Sequence, residues 1–182
     1  MADADTSVTL DALHAAIETD LAARFPAFRT VGFYRDDESE SIPTPALVLE
    51  MIDAEPAPEL DVGTGQWPAR LRFGGRVILS KHAPAAKLEA RKAATALATY
   101  VYLKRWTGCA TDEAQVIACE PDEFAPNVER FEVWRVEWVH LAFLGESVWT
   151  NEGQVPEALY SFVPDIGLAH KDDYRPLAEI MP

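Results

Sequence analysis

The segment at residues 129–144, ERFEVWRVEWVHLAFL, decides how the rest of the chain must be arranged. Its residues alternate as in a β-strand, yet both faces of that strand are rich in apolar side chains. One face carries Trp134, Val136, Trp138, Ala142 and Leu144. The opposite face carries Arg135 and Glu137 among Phe131, Val133, Val139, Leu141 and Phe143. Because an ordinary half-buried strand has one polar face, we expect a second layer or a second molecule to cover part of this strand.

Length and composition are those of one folded domain. The chain has 182 residues, of which 48% are hydrophobic and 25% are charged. No apolar run reaches the ~18 to 20 residues needed to span a bilayer. The first residues, MADADTSVTL, are acidic and lack the apolar block of a secretory signal. The sequence therefore predicts a protein made and kept in the reducing cytoplasm, with no membrane partner.

The charge balance is strongly acidic. Sixteen basic residues against 30 acidic ones give a net charge of −14. Nucleic-acid affinity comes largely from lysine and arginine side chains that neutralise phosphates, so tight DNA binding is not expected. An acidic wall along which DNA passes without adhering remains compatible with this charge.

Two segments have helical periodicity. In TLDALHAAIETDLAARFP, at residues 9–26, Thr9 can cap the helix and Pro26 can end it. Its apolar stripe consists of Leu10, Leu13, Ile17, Leu21 and Phe25. The second helix is predicted from about Pro84 to Arg105, with alanine-rich contact positions flanked by Leu88, Leu97, Val101 and Trp106. Small residues let a helix lie close to a sheet.

The remaining periodic segments predict strands. They lie around Thr30 to Tyr34, in PALVLEMIDA (45–54), in WPARLRFGGRVILSK (67–81) and in AQVIACEPDEF (114–124). The pair Gly74–Gly75 indicates a bulge or a close approach by another backbone. The strand at 129–144 exceeds the usual length of about 3 to 10 residues, so it is expected to bend or to project beyond the domain.

A row of arginines, Arg70, Arg72 and Arg76, occupies one face of the strand at 67–81. One interpretation is a solvated face paired with neighbouring acids such as Glu50 or Glu132. The other is a basic strip that meets an acidic neighbouring subunit.

Residues 145–182 have no sustained period but carry many apolar side chains, including Trp149, Tyr160, Phe162 and Ile166. Such a segment is too apolar for a disordered tail. We expect an arm that docks between subunits or on a partner, or that folds back as a lid over its own sheet.

Candidates for chemistry are few. Cys109 and Cys119 fit neither a redox pair nor a common zinc site and are expected to be unpaired thiols. The segment DIGLAHKDD, with Asp165, His170, Asp172 and Asp173, has the ligand types for a hard metal, but a turn with exposed charge is the commoner origin of such a cluster.

Glu132 and Glu137 fall on opposite faces of their strand, which argues against an acid–base pair. His14 is expected to be a packing residue. The sequence predicts no catalytic residues, no metal site and no cofactor.

The order of elements, with EVWRVEWVHLAFLGESVW (132–149) and SFVPDIGLAHKDDYRPL (161–177), resembles the tail terminators of long-tailed bacteriophages, in a branch found in Mu-like and related siphophages. This resemblance implies an α+β fold: a mostly antiparallel sheet with two helices packed on one face. Residues 1–144 would form this domain and residues 145–182 an extended C-terminal docking arm. The family has no catalytic residues to transfer.

The resemblance also implies a virion protein, assembled in the host cytoplasm. A hexameric ring would cap the tail tube, stop its elongation and join the tail to the head connector, while genomic DNA passes through without specific binding. Its partners would be copies of itself, the tube protein and a neck protein. A head-completion protein of the same particle and a small metal-dependent enzyme using the Asp165–Asp173 cluster are the alternatives.

Two sets of residues are expected to serve such a ring. The interface set consists of Arg70, Arg72, Arg76, Arg135, Glu137, Trp149, Tyr160, Phe162 and Ile166. Acids expected at the lumen or at the rim facing the tube, or else on a solvated outer surface, are Asp36, Asp37, Glu38, Glu40, Asp53, Glu55, Glu59 and Asp61.

Overall fold

The computed structural model describes residues 8–34, 42–122, 130–148, 159–164 and 166–176. The chain divides into two compact units, with the boundary between residues 149 and 150. The first unit contains α1 (Leu10–Arg24), β1 (Thr30–Phe33), β2 (Ala46–Pro56), a short 3-10 helix (Pro58–Leu60), β3 (Trp67–Ser80), α2 (Ala86–Val101), β4 (Gln115–Pro121) and β5 (Phe131–Leu144). The second contains β6 (Leu159–Tyr160), a 3-10 segment (Leu168–Asp173) and β7 (Arg175–Pro176). No helix in the described ranges is both long and apolar enough to cross a membrane.

The first unit has an α+β fold. Its five strands form one sheet in the order β1-β2-β3-β5-β4, in which β1 runs parallel to β2 and the other neighbours are antiparallel. Both helices contribute to a single core on one face of this sheet. The predicted fold class is therefore confirmed. Neither α1 nor α2 packs on the opposite face, which is called the helix-free face below.

The two longest strands, β3 and β5, pair with each other over all 14 residues, from Trp67 opposite Leu144 to Ser80 opposite Phe131. Of the two alternatives for the 129–144 strand, a bend or a projecting part, the projection was wrong, because β3 is equally long and pairs with the strand throughout. The register irregularities of the sheet lie in β2, between Met51 and Asp53, and in β4, between Val116 and Ala118.

Gly75 lies at a tightly packed position of β3. A Cβ atom built on Gly75 would lie 3.3 Å from side-chain atoms of both Leu47 and Leu97 and 3.4 Å from Trp138. The glycine thus lets α2 pack closely on the sheet. The predicted approach of a second backbone was wrong, because the atoms nearest to this position belong to side chains.

The core lies between the sheet and the helices. Helix α1 buries Leu13, Ile17 and Leu21. Helix α2 buries a stripe consisting of Ala86, Ala90, Ala94, Leu97 and Val101. Of the flanking residues, Leu97 and Val101 belong to the stripe, whereas Leu88 lies beside it and is 52% exposed.

The helix ends follow local backbone chemistry. The hydroxyl of Thr9 accepts a hydrogen bond from the backbone N–H of Ala12 at 3.3 Å, and α1 ends at Arg24, two residues before Pro26. Helix α2 is shorter than predicted at both ends, because Ala85 and Leu103 adopt positive φ angles of 53° and 59°, which interrupt helical geometry. His14 packs as expected, with its ring centroid 4.2 Å from that of Phe33.

Candidate functional site

The helix-free face carries five of the nine residues that the sequence nominated for an interface. Strand alternation places Arg70, Arg72 and Arg76 of β3 on this face, and the pairing of β3 with β5 brings Arg135 and Glu137 beside them. The structure therefore unites these five candidates on one surface, although they come from two strands that are distant in sequence.

Glu137 is the centre of the charge network on this face. Its side chain is 1% exposed, and its Oε2 accepts hydrogen bonds from Arg72 Nε, at 2.9 Å, and from Arg72 Nη2. Arg135 Nε lies 2.9 Å from Glu137 Oε1 as an ion pair without hydrogen-bond geometry. The hydrogen bonds to Glu137 raise the pKa of Arg72 above its ordinary value. A buried carboxylate is thus held between two guanidinium groups.

The other arginines of the face are also paired within the chain. Arg76 lies 3.0 Å from Glu50 and 3.1 Å from Asp122, and Arg70 Nη2 lies 2.6 Å from Glu59. The interpretation that neighbouring acids pair with the arginine row is confirmed for Glu50. It was wrong for Glu132, which lies on the helix side of β5 and contacts Arg91 of α2 at 3.4 Å.

The second pairing partner of Arg135 is Glu120 of β4, at 2.7 Å. A hydrogen bond to Glu120 raises the pKa of Arg135 above its ordinary value. With Asp53 at 3.8 Å from Arg72, the network spans strands β2, β3, β5 and β4. Sequence reasoning missed Glu120, Asp122 and Asp53 as arginine partners, because their positions opposite β3 and β5 depend on the strand order.

Apolar side chains fill the remainder of the helix-free face. A small second core consists of Ala46, Val48, Ile78 and Val133, with Ile42 and Phe131 packed against it. Further along β5, Val139, Leu141 and Phe143 are only partly buried. The doubly apolar pattern of the 129–144 strand is therefore explained in part by this second core.

His140 is a buried polar residue that sequence reasoning did not single out. It is fully buried on the helix side, where its Nε2 accepts a hydrogen bond from Trp106 Nε1 at 2.6 Å. Its Nδ1 donates to the backbone oxygen of Asp112 at 3.0 Å. Burial lowers the pKa of His140 below its ordinary value. Alternation with Trp138 and Ala142 was the signal that could have placed it in the core.

The acids expected at a lumen or rim divide into two groups. Asp36, Asp37, Glu38 and Glu40 lie outside the described residues. Asp53, Glu55, Glu59 and Asp61 lie at and beyond the end of β2, where none of them is buried. Residues 53–61 are called the acidic tip below.

The second unit presents apolar side chains to solvent. Phe162 is 73% exposed and Leu168 97% exposed, and Leu159, Val163 and Ile166 are at least half exposed. Tyr160 is partly buried and packs edge-on against Phe162, with ring centroids 5.7 Å apart. Trp149 lies outside the described residues.

The candidate metal cluster is only partly described. His170 Nδ1 and Asp173 Oδ2 lie 3.1 Å apart, whereas Asp165 lies outside the described residues. Within the ranges described, no three histidine, cysteine, aspartate or glutamate side chains come together as metal ligands. Cys109 and Cys119 are both free thiols whose pKa burial raises.

Taken together, the described geometry consists of closed ion pairs on the helix-free face and exposed apolar side chains on the second unit. Compared with known proteins, the chain matches no protein-family model and has no significant match among curated sequences.

Proposed function

We propose that the protein caps the tail tube of a long-tailed bacteriophage as a ring, stops tube elongation and forms the surface that joins the tail to the head connector. The assignment to a phage tail rests on the resemblance of residues 132–149 and 161–177 to tail terminators. The assignment to assembly, rather than to catalysis, is supported by the structure of the second unit.

The exposure of the C-terminal apolar side chains is the observation that carries an assembly function. Phe162, Val163 and Leu168 are each more than two-thirds exposed. Contiguous exposed apolar surface is unfavourable in water and commonly marks a protein–protein contact. Aromatic anchors such as Phe162 and Tyr160 are enriched among residues that dominate binding energy. A neighbouring subunit or the tube surface is the proposed cover.

The acidic charge fits the passage of DNA through such a ring. Six copies of a −14 chain carry 6 × −14 = −84, with histidine counted as neutral. Carboxylates near a pore repel phosphates over a Debye length of about 8 Å at physiological salt, which keeps the passing genome from adhering.

Deletion of the gene from the phage tests the proposal. Electron microscopy of the mutant lysate should show tail tubes of irregular, excessive length with heads unattached. A plasmid copy of the gene should restore uniform tails. Tails of normal length without heads would assign the protein to head completion instead, and a monomer with a tightly bound metal would favour the enzyme alternative.

Complementation with variants identifies the surface responsible. The double variant Phe162→Ser/Ile166→Ser should fail to restore uniform tails, because it removes apolar anchors from the arm. The matched control is Ile117→Ser, which changes a half-exposed apolar residue on β4 of the first unit. Equal complementation by both variants would exclude the arm as the assembly surface.

A further inference from the structure

The basic residues of the chain are concentrated around α2. Residues 81–105 contain six of them, Lys81, Lys87, Arg91, Lys92, Lys104 and Arg105, and a single acid, Glu89. This segment has a net charge of 6 − 1 = +5, so the other residues of the −14 chain carry −14 − 5 = −19. Positive charge is therefore concentrated in residues 81–105, whereas the rest of the chain is strongly acidic.

The structure gathers several of these cations around grooves on the outer side of α2. One groove has a volume of about 710 Å³ and is lined by Arg24, Arg91, Lys92, Thr95, Thr99 and Tyr100. A second, of about 470 Å³, is bordered by Lys81 and Lys87. The first is called the basic groove below.

The cations of the basic groove are only partly neutralised. Arg91 contacts Glu132 at 3.4 Å, and Lys92 forms an exposed pair with Glu89 at 2.9 Å. Arg24 lies over the rings of Phe25 and Tyr100, and no acidic side chain pairs with it among the described residues. The groove thus places guanidinium and ammonium groups beside an aromatic wall, which suits a carboxylate-bearing partner.

The acidic tip has the complementary chemistry. Its nine residues carry four acids, Asp53, Glu55, Glu59 and Asp61, and no basic residue. Two arginines of β3 approach it: Arg70 pairs with Glu59, and Arg72 lies 3.8 Å from Asp53. Glu55 and Asp61 are exposed, so the tip keeps an excess of negative charge.

The groove and the tip lie at opposite ends of the sheet. Arg91 contacts Glu132 at the start of β5. The tip includes the end of β2, whose last residue Pro56 pairs with Ala69, which in turn pairs with Ala142 near the end of β5. Ten residues of extended strand separate these positions by roughly 30 Å. This distance exceeds the Debye length of about 8 Å, so the two charges do not neutralise each other within one chain.

We infer that the acidic tip of one copy seats in the basic groove of a second copy. This contact rests on the proposed ring and specifies how its subunits meet. It joins two different patches, so it is a head-to-tail contact, the type that closes rings or extends filaments. It also explains how chains that repel each other through their net charge can associate, because the attraction is local.

A charge-swap experiment on the full-length chain tests the contact. One variant, Arg24→Glu/Lys92→Glu, reverses two cations that line the basic groove; the other, Glu55→Lys/Glu59→Lys, reverses the tip. Sedimentation velocity should show that the unmodified chain assembles and dissociates as salt increases. Each variant alone should self-associate at least about tenfold more weakly, since like charges then meet. An equimolar mixture should restore assembly, because each tip again meets a groove of opposite charge.

Unfolding midpoints equal to that of the unmodified chain serve as the folding control for both variants. A mixture that fails to assemble, or assembly that is indifferent to salt, would overturn the tip-and-groove contact. If the single variants still form rings and cap tubes, this contact is wrong while the proposed function stands. If the unmodified chain neither assembles nor binds purified tail tubes at any salt concentration, the ring function itself is wrong.

Discussion

At the scale of single residues, His140 shows how burial fixes a protonation state. The indole N–H of Trp106 donates to Nε2, so Nε2 is unprotonated and Nδ1 carries the proton that is donated to Asp112. Protonation of Nε2 would place two N–H groups against each other in the core. Burial accordingly lowers the pKa of this histidine.

The free energy of unfolding should therefore fall as the pH drops below about 6.5, the ordinary histidine pKa. In that range the unfolded chain takes up a proton at residue 140 that the folded chain does not bind. The stability from this site is complete above pH 6.5 and is lost progressively as the pH falls towards the lowered pKa. Urea unfolding at a series of pH values measures the slope.

The matched variant for this prediction is His140→Gln, which has no titrating ring. Its unfolding free energy should depend less steeply on pH over the same interval. An unchanged slope in the variant would assign the pH dependence to other groups.

Glu137 is the residue on which the charge network of the helix-free face depends. Replacing it with alanine leaves Arg72 and Arg135 without their shared carboxylate. Removing one partner of a buried pair costs about 3 to 5 kcal/mol. Both arginine side chains are more than a third exposed. Arg72 keeps Asp53 as a second acidic partner, and Arg135 keeps Glu120. We therefore expect Glu137→Ala to lower the unfolding free energy by roughly 1 to 3 kcal/mol.

The control for Glu137→Ala is Glu59→Ala, which breaks the exposed pair with Arg70. An exposed ion pair contributes little to stability, so this variant should unfold at nearly the same urea concentration as the unmodified chain. Equal losses in the two variants would contradict the central position of Glu137.

At the scale of elements, strand alternation and helical periodicity predicted most of the fold. Alternation placed the arginine row and the apolar face of β3 correctly, and a cap and a proline bounded α1. Strand order could not be predicted in the same way. Strand β5 lies between β3 and β4 because of contacts between segments distant in sequence, which no local pattern specifies. For the same reason the sequence identified Arg135 and Glu137 as candidates but missed Asp122 and Glu120.

The glycine pair of β3 gives a prediction at this scale. A Cβ at residue 75 would press on Leu47, Leu97 and Trp138 in the core, so Gly75→Ala should destabilise the fold by roughly 1 to 3 kcal/mol. At Gly74 the nearest atom is the Cδ1 of Ile52, 3.1 Å away at the end of an exposed side chain that can move. Gly74→Ala should therefore be the milder variant. A reversed order in thermal unfolding would show that α2 does not pack tightly at Gly75.

At the scale of the whole molecule, the division after residue 149 predicts the result of a truncation. Every buried apolar residue of the described ranges lies between Val8 and Ala142. A chain ending at Glu152 should therefore fold and unfold cooperatively, yet neither assemble nor cap tubes. Circular dichroism and sedimentation measure the two properties separately. A truncated chain that aggregates or lacks cooperative unfolding would assign the arm to the core.

The acidic balance gives a second prediction at this scale. The assembled protein should show no measurable binding to duplex DNA at physiological salt in fluorescence anisotropy, because its net charge repels phosphates. Salt-sensitive binding by the unmodified chain would contradict an acidic, non-adhering wall.

The full-length pairing of β3 with β5 has a consequence for biosynthesis. Helix α2 and strand β4 lie between these two strands in the sequence, so the centre of the sheet closes only after a long loop has formed. The hairpin of β2 and β3 can form earlier on the ribosome, but its arginines then lack Glu137. The complete helix-free face exists only once β5 has emerged, so contacts that use this face can begin only after synthesis has passed Leu144.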